Sequence, residues 1–315
     1  MRNLMRFPVW LLAIVACSGL AQSPDAVSEK QSEPRLIRQS YASPTEGERE
    51  YFVYLPSGYD SEGGRSWPVM LFLHGDGERG NAKEDLDWVL VHGPLYEAWI
   101  QKRELPFVIV VPQLPLYGRD KTVGYIAARK PEDIPQRLEG GVPPRPEEFP
   151  TPWPMVGASA SEELPIGPDG LPDGWPQLED DLLIILDQMR ALYRTDPSRV
   201  YLTGISYGGF GTWYMASKHP DRFAAIAPVV GWGHPDLMPP LAERRIPVWA
   251  FAGGRDPAVW SQFFYKGLNA LEELEDREGE VRFTIHADAG HDTWRRVYEG
   301  QDLYDWLLLH RMPSN

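Results

Sequence analysis

The chain has 315 residues, 43% of them hydrophobic, and 31 Lys and Arg stand against 45 Asp and Glu, a net charge of −14. That supplies enough apolar material for one α/β domain, while the acidic balance argues against nucleic acid and polyanionic partners, whose phosphates need basic patches. A single cysteine and no His-Glu-x-x-His leave no disulfide framework and no metal-ligand spacing, so neither a metal nor a cofactor is expected.

Arg2 and Arg6 form a basic leader, and Phe7 to Ala16 is an apolar run of ten residues. This is too short to span a bilayer but suits a signal peptide, assigned to residues 1–21. Inside it, Ile14, Val15, Ala16 and Cys17 resemble a lipobox, in which Cys17 would carry lipid and attach an exported protein to a bacterial outer membrane. Gly19, Leu20 and Ala21 offer an ordinary cleavage site instead, giving a periplasmic or secreted product. Residues 22–34 are small and polar without periodicity and read as a flexible tether.

Residues 35–315 read as one α/β domain. Arg35–Tyr41 and Glu48–Leu55 predict an antiparallel hairpin that starts the sheet. Apolar, β-branched runs follow at Val69–Leu73, Phe107–Val111, Val200–Gly204, Ala224–Val230, Val248–Ala252 and Val281–Ile285, as in buried parallel strands. The expected architecture is a mostly parallel, doubly wound sheet with a long proline-rich insertion at about 114–175. Fourteen of the 31 prolines fall between Pro112 and Pro176, which makes this stretch a loop. Loops this long are lids, binding loops or disordered. Because it leaves the sheet after Val111, part of it is expected to cover a cleft, with Trp153 and Trp175 as walls. Next, Leu182, Ile185, Leu186, Met189, Leu192 and Tyr193 recur at helical spacing, and Leu183 and Ile184 widen the stripe.

Gly204-Ile205-Ser206-Tyr207-Gly208 lies between a strand and a predicted helix, the context of a nucleophile elbow. Its glycines permit a turn tight enough to lift the Ser206 hydroxyl above the sheet. An acid and a base then follow in chain order. Asp256 lies in a Gly-Gly-Arg-Asp-Pro turn after one strand, and His291 in a loop after the next. All three stand beyond strand C-terminal ends, where open α/β sheets bind ligands. His291 would take the Ser206 proton, and Asp256 would fix the imidazole tautomer. Singly, each residue has an ordinary reading as a turn former, helix cap or structural histidine; their joint order and placement favour the triad. His286 lies in or at the end of its strand, Asp288 and Asp292 are too close to His291 to orient its ring, and His219, His234 and His310 lack comparable context. Asp292 is expected to cap the following helix.

His74-Gly75-Asp76-Gly77 ends an apolar strand and resembles an oxyanion loop. One donor is assigned to the N–H of Asp76 or Gly75, the other to the N–H of Tyr207. His74, Gln113, Trp175 and Trp232 are candidates for substrate contact, with His234 beside them. Glu78 and Arg79 are expected to form a structural ion pair; the sharper alternative is that Arg79 binds a substrate carboxylate.

Leu71–Gly80, Val111–Gln113, Asp196–Trp213 and Gly290–Trp294 together resemble the "predicted peptidase" branch of the α/β-hydrolases, close to polyhydroxybutyrate depolymerases and feruloyl esterase-like carboxylesterases. The similarity runs from about Glu48 to Leu309; the long insertion is a departure from the family pattern. It implies the α/β-hydrolase fold and a serine hydrolase that cleaves carboxylic esters, small or polysaccharide-linked, through an acyl-enzyme. A serine peptidase of the same fold and a non-catalytic surface-binding lipoprotein are the alternatives.

Overall fold

A computed structural model describes residues 32–313, apart from 62, 152, 155–159, 162, 166–171, 173 and 275–279. The signal peptide, Cys17 and nearly all of the tether lie outside the described residues.

Strands β1 (Arg35–Ser43) and β2 (Gly47–Leu55) form the expected hairpin, in register from Arg35 against Leu55 to Ser43 against Gly47. β3 (Trp67–Leu73), β4 (Val108–Val111), β5 (Thr195–Ile205), β6 (Ala225–Val229), β7 (Val248–Gly253) and β8 (Val281–His286) complete an eight-stranded sheet in the order β1-β2-β4-β3-β5-β6-β7-β8. β2 pairs antiparallel with both β1 and β4, and every other pair is parallel. β5 starts at Thr195 rather than at Val200. Trp67 pairs with Thr195 and Val69 with Val200, so Pro197 falls in the irregularity between them, where no ladder N–H is required.

Strict alternation divides the central strands between two cores. Val69, Leu71 and Leu73 face one side, against helices α1 (Glu179–Leu192), α2 (Tyr207–Lys218), α3 (Met238–Glu243) and α4 (Phe264–Glu273). Met70 and Phe72 face the other, against residues 86–98 and helices α5 (Trp294–Glu299) and α6 (Asp302–Leu308). Sealed on both faces, such strands have no polar side to show, which is why they read as continuous apolar runs.

Two expectations need correction. Leu182, Ile185, Leu186 and Met189 of α1 are buried as predicted, but Leu192 is 58% exposed and Tyr193 is already extended. The helix ends one residue before the apolar pattern does, and the Tyr193 hydroxyl turns to Gln39 instead. The insertion is largely irregular, yet it holds two single-turn helices, Arg119–Thr122 and Gly124–Ala127, packed beside the end of β3 through side chains described below. Among the described residues, no helix is long and apolar enough to cross a membrane.

Candidate active site

Ser206 occupies the step between β5 and α2 with φ +51° and ψ −115°, a conformation costing an L-residue about 1–3 kcal/mol. The surroundings enforce it: the Ser206 N–H donates to Val229 O of the neighbouring strand (3.0 Å). Glycine is obligatory on both sides. A Cβ at Gly204 would lie 2.4 Å from Gly208 O, and one at Gly208 only 1.8 Å from Leu73 O. These contacts are backbone on backbone, so no rotamer change relieves them.

The Ser206 hydroxyl stands 3.1 Å from His291 Nε2, and His291 Nδ1 is 2.7 Å from Asp256 Oδ2. The other Asp256 oxygen accepts the N–H groups of Ala258 (2.8 Å) and Val259 (2.9 Å). With one oxygen held by two amides, the carboxylate presents the other to the imidazole as an acceptor, which places the His291 proton on Nδ1 and leaves Nε2 free to accept. The loops carrying acid and base interlock. Gly254 N–H donates to His286 O and Arg255 N–H to Ala289 O, each at 2.9 Å. His291 also meets the Trp294 ring edge-on, with centroids 5.1 Å apart.

Gly75 and Asp76 open a short 3₁₀ turn at the end of β3, with Gly75 at its N-cap, so the turn begins with N–H groups that have no intrahelical partner. Tyr207 opens α2 in the same way. The Asp76 carboxylate is buried and accepts from Arg79 Nε (2.6 Å), Arg119 Nη2 (2.6 Å) and Tyr125 Oη (2.5 Å).

Four residues expected to touch substrate are instead structural. His74 is fully buried; its Nδ1–H donates to Gly75 O (2.6 Å) and its Nε2 accepts from Leu114 N–H (2.9 Å). Burial pushes its pKa down to about 3, so it is neutral. Gln113 is buried and uses its amide on Ala82 N–H, Glu78 O and Asp85 O. Trp175 is 1% exposed, packed edge-on to His74 and over Gly211, with its indole N–H on His74 O (3.1 Å). Trp232 is buried between Phe210 and Phe263. Sequence shows that an aromatic or polar residue follows a strand end; which side of the loop it takes depends on neighbours distant in the chain. His234 bonds locally, accepting Asp236 N–H at 3.2 Å.

The Glu78–Arg79 ion pair is also corrected. Arg79, fully buried, pairs with Asp76, which rules out its capture of a substrate carboxylate. Glu78 faces His74 (3.8 Å) and His92 (3.6 Å), both held neutral by burial near pKa 3. These contacts therefore carry no ionic attraction, and burial raises the Glu78 carboxyl to about 7. An unfolded glutamate ionises near 4.5, so between pH 4.5 and 7 the folded chain keeps a proton on Glu78 that the unfolded chain has lost, and this group's contribution to stability falls as pH rises. His74 and His92, held neutral, contribute the opposite sign up to pH 6.5, where the unfolded imidazoles bind protons. Glu78→Gln is expected to remove that falling contribution, so that stability at pH 8 relative to pH 5 improves on wild type by on the order of 3 kcal/mol, as read by urea unfolding at the two pH values. Asp292 does not cap a helix. It lies inside the turn His291–Thr293 and accepts Phe149 N–H (2.7 Å) from the insertion.

Comparison with known proteins bears on this geometry. The prolyl oligopeptidase family is matched over residues 177–238, a span that includes the elbow. The structure of a thermostable esterase superposes on 88% of this chain and 63% of its own, with TM-score 0.55 and 24% identity. The fold is that of the α/β-hydrolases. The chain is also 51% identical over 47 residues to the poly(3-hydroxyalkanoate) depolymerase C of Paucimonas lemoignei, covering 15% of this chain and 11% of that one. It is 37% identical over 123 residues to the bifunctional acetylxylan esterase/xylanase XynS20E of Neocallimastix patriciarum, covering 39% and 17%. The matched stretches thus span well under a quarter of those relatives' length.

Beside Asp256, Trp153 and Trp260 border a cavity of about 200 Å³ together with Gly253, Gly254 and Arg255. Both indoles are half exposed. Trp260 is stacked on Phe263 (5.8 Å, 2°) and its N–H donates to Pro257 O, which holds the ring as a fixed platform. The sequence signal for Trp260 is only an apolar ring four positions after Asp256.

Proposed function

We propose that this α/β-hydrolase cleaves carboxylic esters, with Ser206 as nucleophile, His291 as base and then acid, and Asp256 as the group that orients the imidazole. One observation carries the reading: Ser206 Oγ, His291 and Asp256 form a continuous hydrogen-bonded line at 3.1 and 2.7 Å. As Oγ attacks the carbonyl carbon, its proton passes to Nε2 and the imidazolium is held against Asp256. The N–H groups of Tyr207 and of Asp76 or Gly75 receive the developing oxyanion, each worth about 3–4 kcal/mol. His291 then protonates the departing alkoxide, and water attacks the acyl-enzyme by the same relay in reverse.

The relatives named as esterase and depolymerase support ester over amide substrates. A peptidase is the second reading, favoured by the prolyl oligopeptidase match at residues 177–238. A substrate panel of p-nitrophenyl, feruloyl and acetyl-sugar esters and aminoacyl amides separates the two. A fluorophosphonate should label the folded protein at Ser206 and leave Ser206→Ala unlabelled; unlabelled wild-type protein would point to a binding role instead. The half-exposed Trp153 and Trp260 support esters that carry a ring. Trp260→Ala should raise KM for feruloyl or acetyl-sugar esters about tenfold, as expected for one lost ring contact, and leave a ringless ester such as ethyl acetate within about twofold. Export, with Cys17 lipidated or removed, is part of the same proposal and rests on the N-terminal residues alone.

A further inference from the structure

The start of the insertion reaches back to the loop that ends β3. Arg119 Nε (2.9 Å) and Nη2 (2.6 Å) and the Tyr125 hydroxyl (2.5 Å) all meet Asp76 Oδ2. Arg129 Nη1 donates to Gly77 O (2.7 Å) and Arg79 O (2.8 Å), and Pro115 O accepts from Arg79 Nη1 (3.0 Å). The Arg119 guanidinium also lies 5.2 Å from the centre of the Tyr207 ring, with that of Arg79 at 5.0 Å. One arginine of the insertion thus contacts Tyr207 and Asp76, two of the three residues (with Gly75) whose N–H groups are candidates for the oxyanion. Glycines on either side of Asp76 leave its peptide little rigidity of its own, and its carboxylate is held from both sides, Oδ1 by Arg79 and Oδ2 by the two Arg119 nitrogens and the Tyr125 hydroxyl.

We propose that residues 115–129 of the insertion are a clamp that shapes the oxyanion hole, with Arg119 as a positioning residue acting through Asp76 and Tyr207. This rests on the ester-hydrolase reading above. Arg119 is an outlying member of the network, about a quarter exposed, and Asp76 keeps Arg79 when it is removed. Its loss should therefore loosen the donors without unfolding the domain.

The test compares Arg119→Ala, Arg119→Lys and Tyr125→Phe with wild type, using p-nitrophenyl acetate and a trifluoromethyl ketone that forms a tetrahedral adduct on serine. Arg119→Ala should lower kcat about 10- to 100-fold with KM within twofold, and weaken the trifluoromethyl ketone by the same factor. Arg119→Lys keeps the charge but loses the fork, so it should recover only part of the loss; Tyr125→Phe should cost a few-fold. Unchanged kcat in Arg119→Ala, or a change confined to KM, would overturn the clamp. So would a fall in kcat with undiminished affinity for the ketone. Should Arg119→Ala not fold, Tyr125→Phe carries the test, and full kcat and ketone affinity there would overturn the clamp too. Wild-type protein that neither reacts with fluorophosphonate nor turns over the ester would instead sink the hydrolase reading.

Discussion

Ser206→Ala is expected to lower kcat at least a thousandfold on any ester the protein turns over, and His291→Ala to do the same. The double variant should be little worse than either, because the two side chains act as one unit. Weak residual turnover should survive from the backbone donors and substrate binding. Asp256→Asn is the sharper case. Ala258 and Val259 N–H groups hold one side-chain oxygen, so an asparagine would give them its carbonyl and turn its NH₂ toward His291 Nδ1. That donor can meet only the tautomer protonated at Nε2, which then has no lone pair for the Ser206 proton. A loss close to that of Ser206→Ala is expected from steady-state rates. If Asp256→Asn kept more than about a tenth of wild-type kcat, Asp256 would not be the orienting acid.

Among the described glycines, Gly208→Ala should be the most damaging alanine substitution. Its methyl group would sit 1.8 Å from Leu73 O, so α2 must withdraw from β3 in the most buried part of the sheet. A loss above about 4 kcal/mol, or failure to accumulate folded protein, is expected. Gly140→Ala, with open space around the new methyl, should stay within about 0.5 kcal/mol of wild type. Urea midpoints for the two variants give the comparison directly; near-equal values would mean that the close approach at the elbow is absent in solution.

The strands and the order of Ser206, Asp256 and His291 were legible because both rest on local signals. Strands sealed on two faces must be apolar throughout, and a turn with no room for Cβ must carry glycine. The side chains that line the surroundings were not legible, for a physical reason. His74, Gln113 and Trp232 follow strand ends in the expected places and Trp175 closes the insertion, yet each turns inward to satisfy a partner 30 or more residues away or to fill space over a helix. Arg119 and Tyr125 gave no sign of their partner, since charged and aromatic residues in a proline-rich loop look the same whether they face water or a buried carboxylate. The pairing of Arg79 was misread because adjacency along the chain suggested Glu78, whereas a helical turn brings residue 76 within reach.

Helix α2 starts one residue after the nucleophile and runs twelve residues away from it. Its peptide dipoles therefore aim their positive end, roughly half an elementary charge, at the spot where negative charge gathers on the attacked oxygen. A released carboxylic acid, ionised at neutral pH, would feel the same attraction, so the acid formed in each cycle should compete with fresh ester. Because salt screens such a field, that competition should fade as ionic strength rises.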